Sequence, residues 1–222
     1  MTVAYPAHRD STIVLRDGST LAVRPIRRED EARLAHFFSA LSMESRVLRF
    51  FAPVANADAS AKTMVQVDYK SRYGLVAVAG AQGQIVAHAM YVETEPRKAE
   101  AALAVADAYQ GRGLGTILLG QLAEAAAASG IEVLEAIVRP ENHRMLEMLR
   151  QSGFPVHSRS EPGEVHAELP TALTPEGIRH FEDRERIAAV AAVGHLLGPS
   201  LGGGQRRGPV AVRARAKRES GR

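Results

Sequence analysis

Gln110-Gly111-Arg112-Gly113-Leu114-Gly115 puts three glycines at alternate positions of one short loop. The run 99–106 before it is apolar and reads as a strand. The stretch 116–129 after it reads as a helix, with apolar residues at 117, 118, 122, 125 and 126. Glycine lets the backbone approach a ligand closely and take up positive φ. The first amides of a helix have no intrahelical partner, and the helix dipole adds partial positive charge there. A turn of this kind can hold phosphate oxygens. Two phosphate templates fail. The P-loop needs Gly-x-x-x-x-Gly-Lys-Ser/Thr, a run the chain lacks. The dinucleotide fingerprint needs a small residue at 116 or 118, where Thr116 and Leu118 stand. A third template, Gln/Arg-x-x-Gly-x-Gly/Ala, is met by Gln110, Gly113 and Gly115. A plain strand-to-helix turn is the alternative.

A second pattern follows downstream. Asn142 is followed at +11 and +12 by Gly153 and Phe154, after a helical stretch at 141–151. Together the two patterns resemble the GNAT superfamily of acyl-CoA-dependent N-acyltransferases, over about residues 12–170. The resemblance implies an α/β (α+β) GNAT fold. Its mixed, mostly antiparallel central sheet has six to seven strands, flanked by helices and splayed between the fourth and fifth core strands. It implies acetyl-CoA as cosubstrate and no metal. It sets the pyrophosphate on the loop and helix start formed by Gln110, Gly111, Arg112, Gly113, Leu114, Gly115 and Thr116. Arg112 either adds charge there or points into solvent. The pantetheine would lie along Ala104, Val105 and Ala106, the amide near Val105 polarising the thioester carbonyl. Asn142 would bond the pantetheine or phosphate arm.

The reaction moves an acyl group from a thioester to an amine. At pH 7 only about one lysine amine in 2,500 is neutral, so a base is needed. GNAT members often place a catalytic Glu four residues before the position of Ala104, which is Glu100 here. A carboxylate buried in a mostly apolar strand is the expectation, and an outward-facing strand acid is the plain alternative. Glu93, Glu95 and Asp107 are weaker alternatives, the first two in a loop-like stretch before Pro96. Many members carry a tyrosine seven residues after the Asn as general acid. Leu149 stands at that spacing, which leaves Tyr91, Tyr109 or water. His88 reads as a packed strand residue and His143 as an exposed helix position. No His or acid pair has metal-ligand spacing.

Several elements must position these groups. Strands at 12–15 and 19–24 flank Asp17-Gly18, a hairpin turn signal. A helix stripe runs over 28–41. Ser42 caps a helix through 51, stopped by Pro53, and Asp58 caps one over 59–68. Strands follow at 74–80 and 84–93, and later at 131–138, 154–159 and 164–169, the last two closing through Pro162-Gly163. Thr174-Pro175-Glu176 starts a helix to about 197.

The chain has 222 residues, no cysteine and no long apolar window. Disulfides, thiolate metal sites and a cysteine acyl-enzyme are excluded. No signal peptide or transmembrane segment is evident, so a cytoplasmic location is expected. Seven Lys/Arg against one acid fall in 203–222, whereas the remainder holds 21 basic and 24 acidic residues. The expected organisation is an extension at 1–11, a GNAT domain at 12–170, a connector helix at 171–198 and a basic low-complexity tail at 199–222. The tail has no aromatic residue to stack on bases, so it reads as a solvated end rather than a nucleic-acid arm.

Arg24-Pro25-Ile26-Arg27, the segment 45–51, Ala99-Glu100 and Pro140-Glu141-Asn142 also resemble bacterial protein lysine acetyltransferases that act on acyl-CoA synthetases. In that group the GNAT domain is often fused to a synthetase-like domain, and a truncated relative is the expectation here. The implied acceptor is a protein lysine. A small amine acceptor or a non-catalytic acyl-CoA-binding module are the alternatives. A peptide acceptor predicts an open groove near Glu100, and a small amine predicts an enclosed pocket. A homodimer through the helix at 175–197 stays open.

Overall fold

The computed structural model describes residues 4–52 and 56–172. The stop at Pro53, the connector helix and the basic tail lie outside them. Eight strands form one sheet in the order β1-β2-β3-β4-β5-β6-β8-β7. They are β1 (Ser11–Val14), β2 (Thr20–Pro25), β3 (Arg72–Ala79), β4 (Gln84–Glu95), β5 (Lys98–Val105), β6 (Val133–Val138), β7 (His157–Glu161) and β8 (Glu164–Pro170). Every neighbouring pair is antiparallel except β5 and β6. Those two pair through only three positions, Lys98↔Val133, Ala99↔Leu134 and Glu100↔Glu135. Past Glu100 both strands continue unpaired with each other, and the sheet opens into the expected splay.

Residues opposite one another on paired strands share a face. One face carries Val76, His88 and Ala104, with Glu100, Ala102, Met90 and Val92 along it. It is covered by α1 (Glu31–Ala40), α2 (Met43–Phe50) and α3 (Ala57–Met64), whose Leu34, Phe37, Phe38 and Ala61 close a core with Val76 and Ala104. The other face carries Leu75, Ala89, Tyr91, Ala99 and Ala101 and packs on α4 (Leu114–Ala128). Helix α4 buries Leu118, Leu119, Leu122, Ala125 and Ala126, with α5 (His143–Arg150) beside it.

The caps explain the helix bounds. Ser42 accepts from Ser45 N at 3.1 Å, as expected. Helix α3 starts two residues early because Asn56, not Asp58, is its cap: Asn56 Oδ1 accepts from Ala59 N at 3.0 Å. Asp58 instead lies in the first turn, where its charge suits the dipole. Strand β4 runs on to Glu95, so Glu93 and Glu95 lie on a strand end rather than a loop, and both are exposed.

Candidate functional site

The splay exposes main chain on β5. Ala106 N donates to Val86 O at 2.8 Å, so even-numbered residues of β5 turn their amides toward β4 and odd-numbered ones toward β6. Of the three expected edge residues, Val105 therefore faces the gap, and Leu103 joins it. Ala104 and Ala106 do not, because their amides serve the β4 ladder. The Val105 carbonyl accepts from Gln110 Nε2 at 3.1 Å, which leaves its N–H as the group directed into the opening.

A short 3-10 turn, Asp107–Tyr109, leads from β5 into the glycine loop. Gly111 and Gly113 adopt φ +75° and +88°, values that side chains resist. Gly113 is the left-handed N-cap of α4, and the intrahelical ladder opens with Ile117 N on Gly113 O at 3.2 Å. The amides of Leu114, Gly115 and Thr116 precede that ladder. Gly115 is not forced by packing: a Cβ there would meet Leu103 Cδ1 at 3.9 Å and Met148 Cγ and Val105 Cγ2 at 4.0 Å, which is ordinary contact. Its bare backbone, set beside the open end of β5, suits close approach by a phosphate ligand such as CoA.

The loop's side chains are largely committed. Gln110 Nε2 also donates to Ser45 Oγ at 3.2 Å, and its Oε1 accepts from Arg144. Arg112 pairs with Asp17 at 2.7 Å and lies over the Tyr109 ring at 5.2 Å. Hydrogen bonds from Ser19, aided by Arg112, hold the Asp17 carboxyl below its ordinary range. Thr116 is buried. Asn142 is the N-cap of α5, its Oδ1 accepting from Met145 N at 3.1 Å, so only its amide nitrogen remains for a ligand.

Glu100 lies at the last paired position before the splay and is exposed, not buried as expected. Alternation decides this: Ala99 and Ala101 turn into the core, so Glu100 faces outward beside α2. Asp107 is engaged elsewhere. It accepts from Ser42 N at 3.0 Å, Ser42 Oγ at 2.8 Å and Ser45 Oγ at 2.7 Å. Burial pushes its carboxyl up, but these hydrogen bonds outweigh that and leave it below the ordinary range. It fastens α2 to the end of β5. Tyr91 lies on the opposite face of the sheet. Its hydroxyl, raised in pKa chiefly by burial, donates to Lys70 O at 2.9 Å and contacts Ser129 Oγ at 3.1 Å. Of the two tyrosines considered as acid, Tyr109 alone is near the loop. Leu149 is buried in the core, so that position does not face the opening.

Two groups were not singled out as site residues. Arg49 on α2 lies within electrostatic reach of both Glu100 and His88. Burial pushes its guanidinium down to about 10, against the pull of Glu100. His88 is fully buried against Phe38, and burial, with Arg49 adding to it, pushes its imidazole down to about 3. It is a packed neutral histidine. The spacing of Arg49 to Glu100 across α2 and β5 carries no signal in the sequence.

Beyond Glu100, no helix among the described residues covers the outer face of β6, β8 and β7. Glu100, Glu135, Glu168 and His157 stand in one cross-strand row, and Ile137, His166 and Arg159 in the next. They line a groove of about 530 Å³. Lys98 bridges Glu135 at 3.0 Å and Glu168 at 3.8 Å. Among the described residues no group of three His, Cys, Asp or Glu is placed to hold a metal ion, and no helix is long and apolar enough to cross a membrane.

Comparison with known proteins bears on this geometry. The sequence model of the Acetyltransferase (GNAT) family matches residues 43–154, which include α2, the splayed strands, the glycine loop and α5. An acetyltransferase of Pseudomonas aeruginosa is 29% identical over 144 residues, covering 63% of this chain and 77% of that protein. Acetyltransferase Pat of Mycolicibacterium smegmatis is 30% identical over 159 residues, covering 71% of this chain. The match spans only 47% of Pat's own length. The crystal structure of the GNAT domain of S. lividans PAT superposes with a TM-score of 0.69 at 35% identity, covering 75% of this chain and 99% of that domain. With the family's match running through the splay and the loop alike, the chain belongs to the GNAT family and is an acetyltransferase.

Proposed function

We propose that this acetyltransferase transfers an acetyl group from acetyl-CoA to a lysine side chain of a protein, by direct attack within a ternary complex. Acetyl-CoA is the donor its fold uses, and it supplies an activated thioester. The amides of Gly111 to Thr116 hold the pyrophosphate. The outward edge of Leu103 and Val105 aligns the pantetheine, with the Val105 N–H directed at the thioester oxygen. Glu100 takes the proton of the incoming ammonium, directly or through a water. The amine nitrogen then bonds the carbonyl carbon as the C–S bond breaks, and the nitrogen's excess proton passes through Tyr109 or water to the departing thiolate. With no cysteine in the chain, an enzyme thioester is excluded.

The observation that carries the choice of acceptor is the groove beside Glu100. It is open and broad, it begins at the splay, and three carboxylates line it in a row. A protein surface bearing a lysine fits such a site, and a small amine would be held poorly. The resemblance to bacterial protein lysine acetyltransferases, alongside the likeness to acetyltransferase Pat and S. lividans PAT, supports that reading.

The test is release of CoA from acetyl-CoA with an acyl-CoA synthetase as acceptor and a panel of small amines as control. The expected result is release with the protein acceptor, falling about 100- to 1,000-fold in Glu100→Gln with acetyl-CoA affinity kept. Release with amines alone would move the function to a small-molecule enzyme. Full activity of Glu100→Gln would remove Glu100 as the base.

A further inference from the structure

Arg16, at the tip of the β1–β2 hairpin, places its charge at a helix N-terminus, where the helix dipole disfavours a cation. Its main-chain N–H donates to Arg112 O at 3.2 Å, which seats the hairpin tip on the glycine loop. Its side chain then crosses Gly113. An ideal Cβ built on Gly113 would lie 3.4 Å from Arg16 Nε, 3.6 Å from Cγ and 3.8 Å from Cδ. The exposed side chain thereby lies beside Gly113, the N-cap of α4. Among the described residues it has no hydrogen-bond or ion-pair partner. Two other arginines near the loop are engaged, Arg112 of the loop with Asp17 and Arg144 of α5 with Gln110.

A cation at the N-terminus of a helix opposes the helix dipole, which favours anions there. Natural sequences break such a rule where a function compensates for it. An anion bound at the same helix start would reverse the sign of the interaction, because it would lie between the positive helix end and the guanidinium. Asp17 cannot supply that anion, since it already neutralises Arg112.

We propose that Arg16 reaches across from the β1–β2 hairpin to bind the pyrophosphate of the donor, as a cation supplied from outside the glycine loop. Gly113 then has two duties: it takes the left-handed conformation and it leaves the path along which the Arg16 stem lies. The inference rests on the acetyl-CoA reading above.

Calorimetric titration with CoA and with dephospho-CoA, which lacks the 3′-phosphate, tests it on the full chain without any turnover. In Arg16→Ala the affinity for both ligands falls about tenfold, a charge-assisted hydrogen bond being lost. Arg16→Lys keeps part of that affinity. The melting temperature of the ligand-free protein does not fall in Arg16→Ala, since an unfavourable charge leaves the helix end. Unchanged affinity, a loss confined to CoA, or a drop in ligand-free melting temperature would each overturn the assignment. Failure of the unmodified protein to bind CoA would overturn the donor reading itself, and this inference with it.

Discussion

Gly113 sits at φ +88° and Gly115 within the first turn of α4 at an ordinary helical angle, so alanine at the two positions has opposite consequences. Gly113→Ala forces a left-handed alanine, at a cost of about 1–2 kcal/mol, while its methyl would meet the flexible Arg16 side chain no closer than 3.4 Å. Gly115→Ala meets nothing closer than 3.9 Å and removes a helix glycine, which stabilises by up to about 1 kcal/mol. Its methyl group would nonetheless stand beside the helix-start amides proposed to hold the pyrophosphate. The expected pattern for Gly115→Ala is a melting temperature equal to or above the parent with weaker CoA binding. Thermal melts with and without CoA read both effects. A glycine kept for packing would show the reverse.

Helix α2 buries none of its residues fully, yet it carries Arg49 over Glu100 and Ser45 beside Gln110. It packs on the core through Phe50, 5.0 Å from the Phe38 ring, and is fastened at its start. Asp107 provides the fastening, through three hydrogen bonds from Ser42 and Ser45. Asp107→Ala removes all three and leaves the Ser42 amide and two hydroxyls to water. A loss of about 1–3 kcal/mol in urea unfolding is expected, together with a raised KM for the acceptor, because α2, which carries Arg49 within electrostatic reach of Glu100, is no longer held. A change in acceptor KM with unaltered stability would show that Asp107 meets the acceptor directly instead.

At the scale of the molecule, two buried groups make stability depend on acid. Asp30 is fully buried between Arg24, at 2.7 and 2.8 Å, and Arg33, at 2.8 Å, with Arg27 N at 2.8 Å. Burial alone would raise its carboxyl, but these partners hold it below the ordinary value of 3.8. Its contribution is present above pH 3.8 and is lost as pH falls through the lower folded value. His88 is shifted in the same sense, from 6.5 down to about 3, by burial first and Arg49 second. The unfolded chain binds its proton first, so folding weakens as pH drops from about 6.5 toward 3. A series of melts across that range should show a decline that His88→Leu removes between pH 6.5 and 4, while leaving the steeper loss below pH 4 that Asp30 causes. An unchanged profile in His88→Leu would place the sensitivity elsewhere.

The glycine loop, the hairpin turn at Asp17-Gly18, the Ser42 cap and the Asn142–Gly153–Phe154 spacing were all legible in the residues. Each is a preference of contiguous backbone: positive φ, a cap hydrogen bond, a helix start. The same locality explains the misplaced start of α3. Asn56 and Asp58 are both capping types two residues apart, and only the path of the chain chose between them. In β5 alanine occupies both faces, so no alternation of apolar and polar residues told which way Glu100 points. Its pairing with β4 and β6 did. Arg112 reads as a charge for phosphate, but the fold brings Asp17 to it from 95 residues away. Arg49, Asp107 and the open face of β6, β8 and β7 likewise acquire their meaning only from neighbours remote in the chain. The sequence by itself determined where the backbone must turn and where helices and strands lie. The tertiary structure alone decided which charges meet and which face stays open, because those depend on packing between segments that share no local signal.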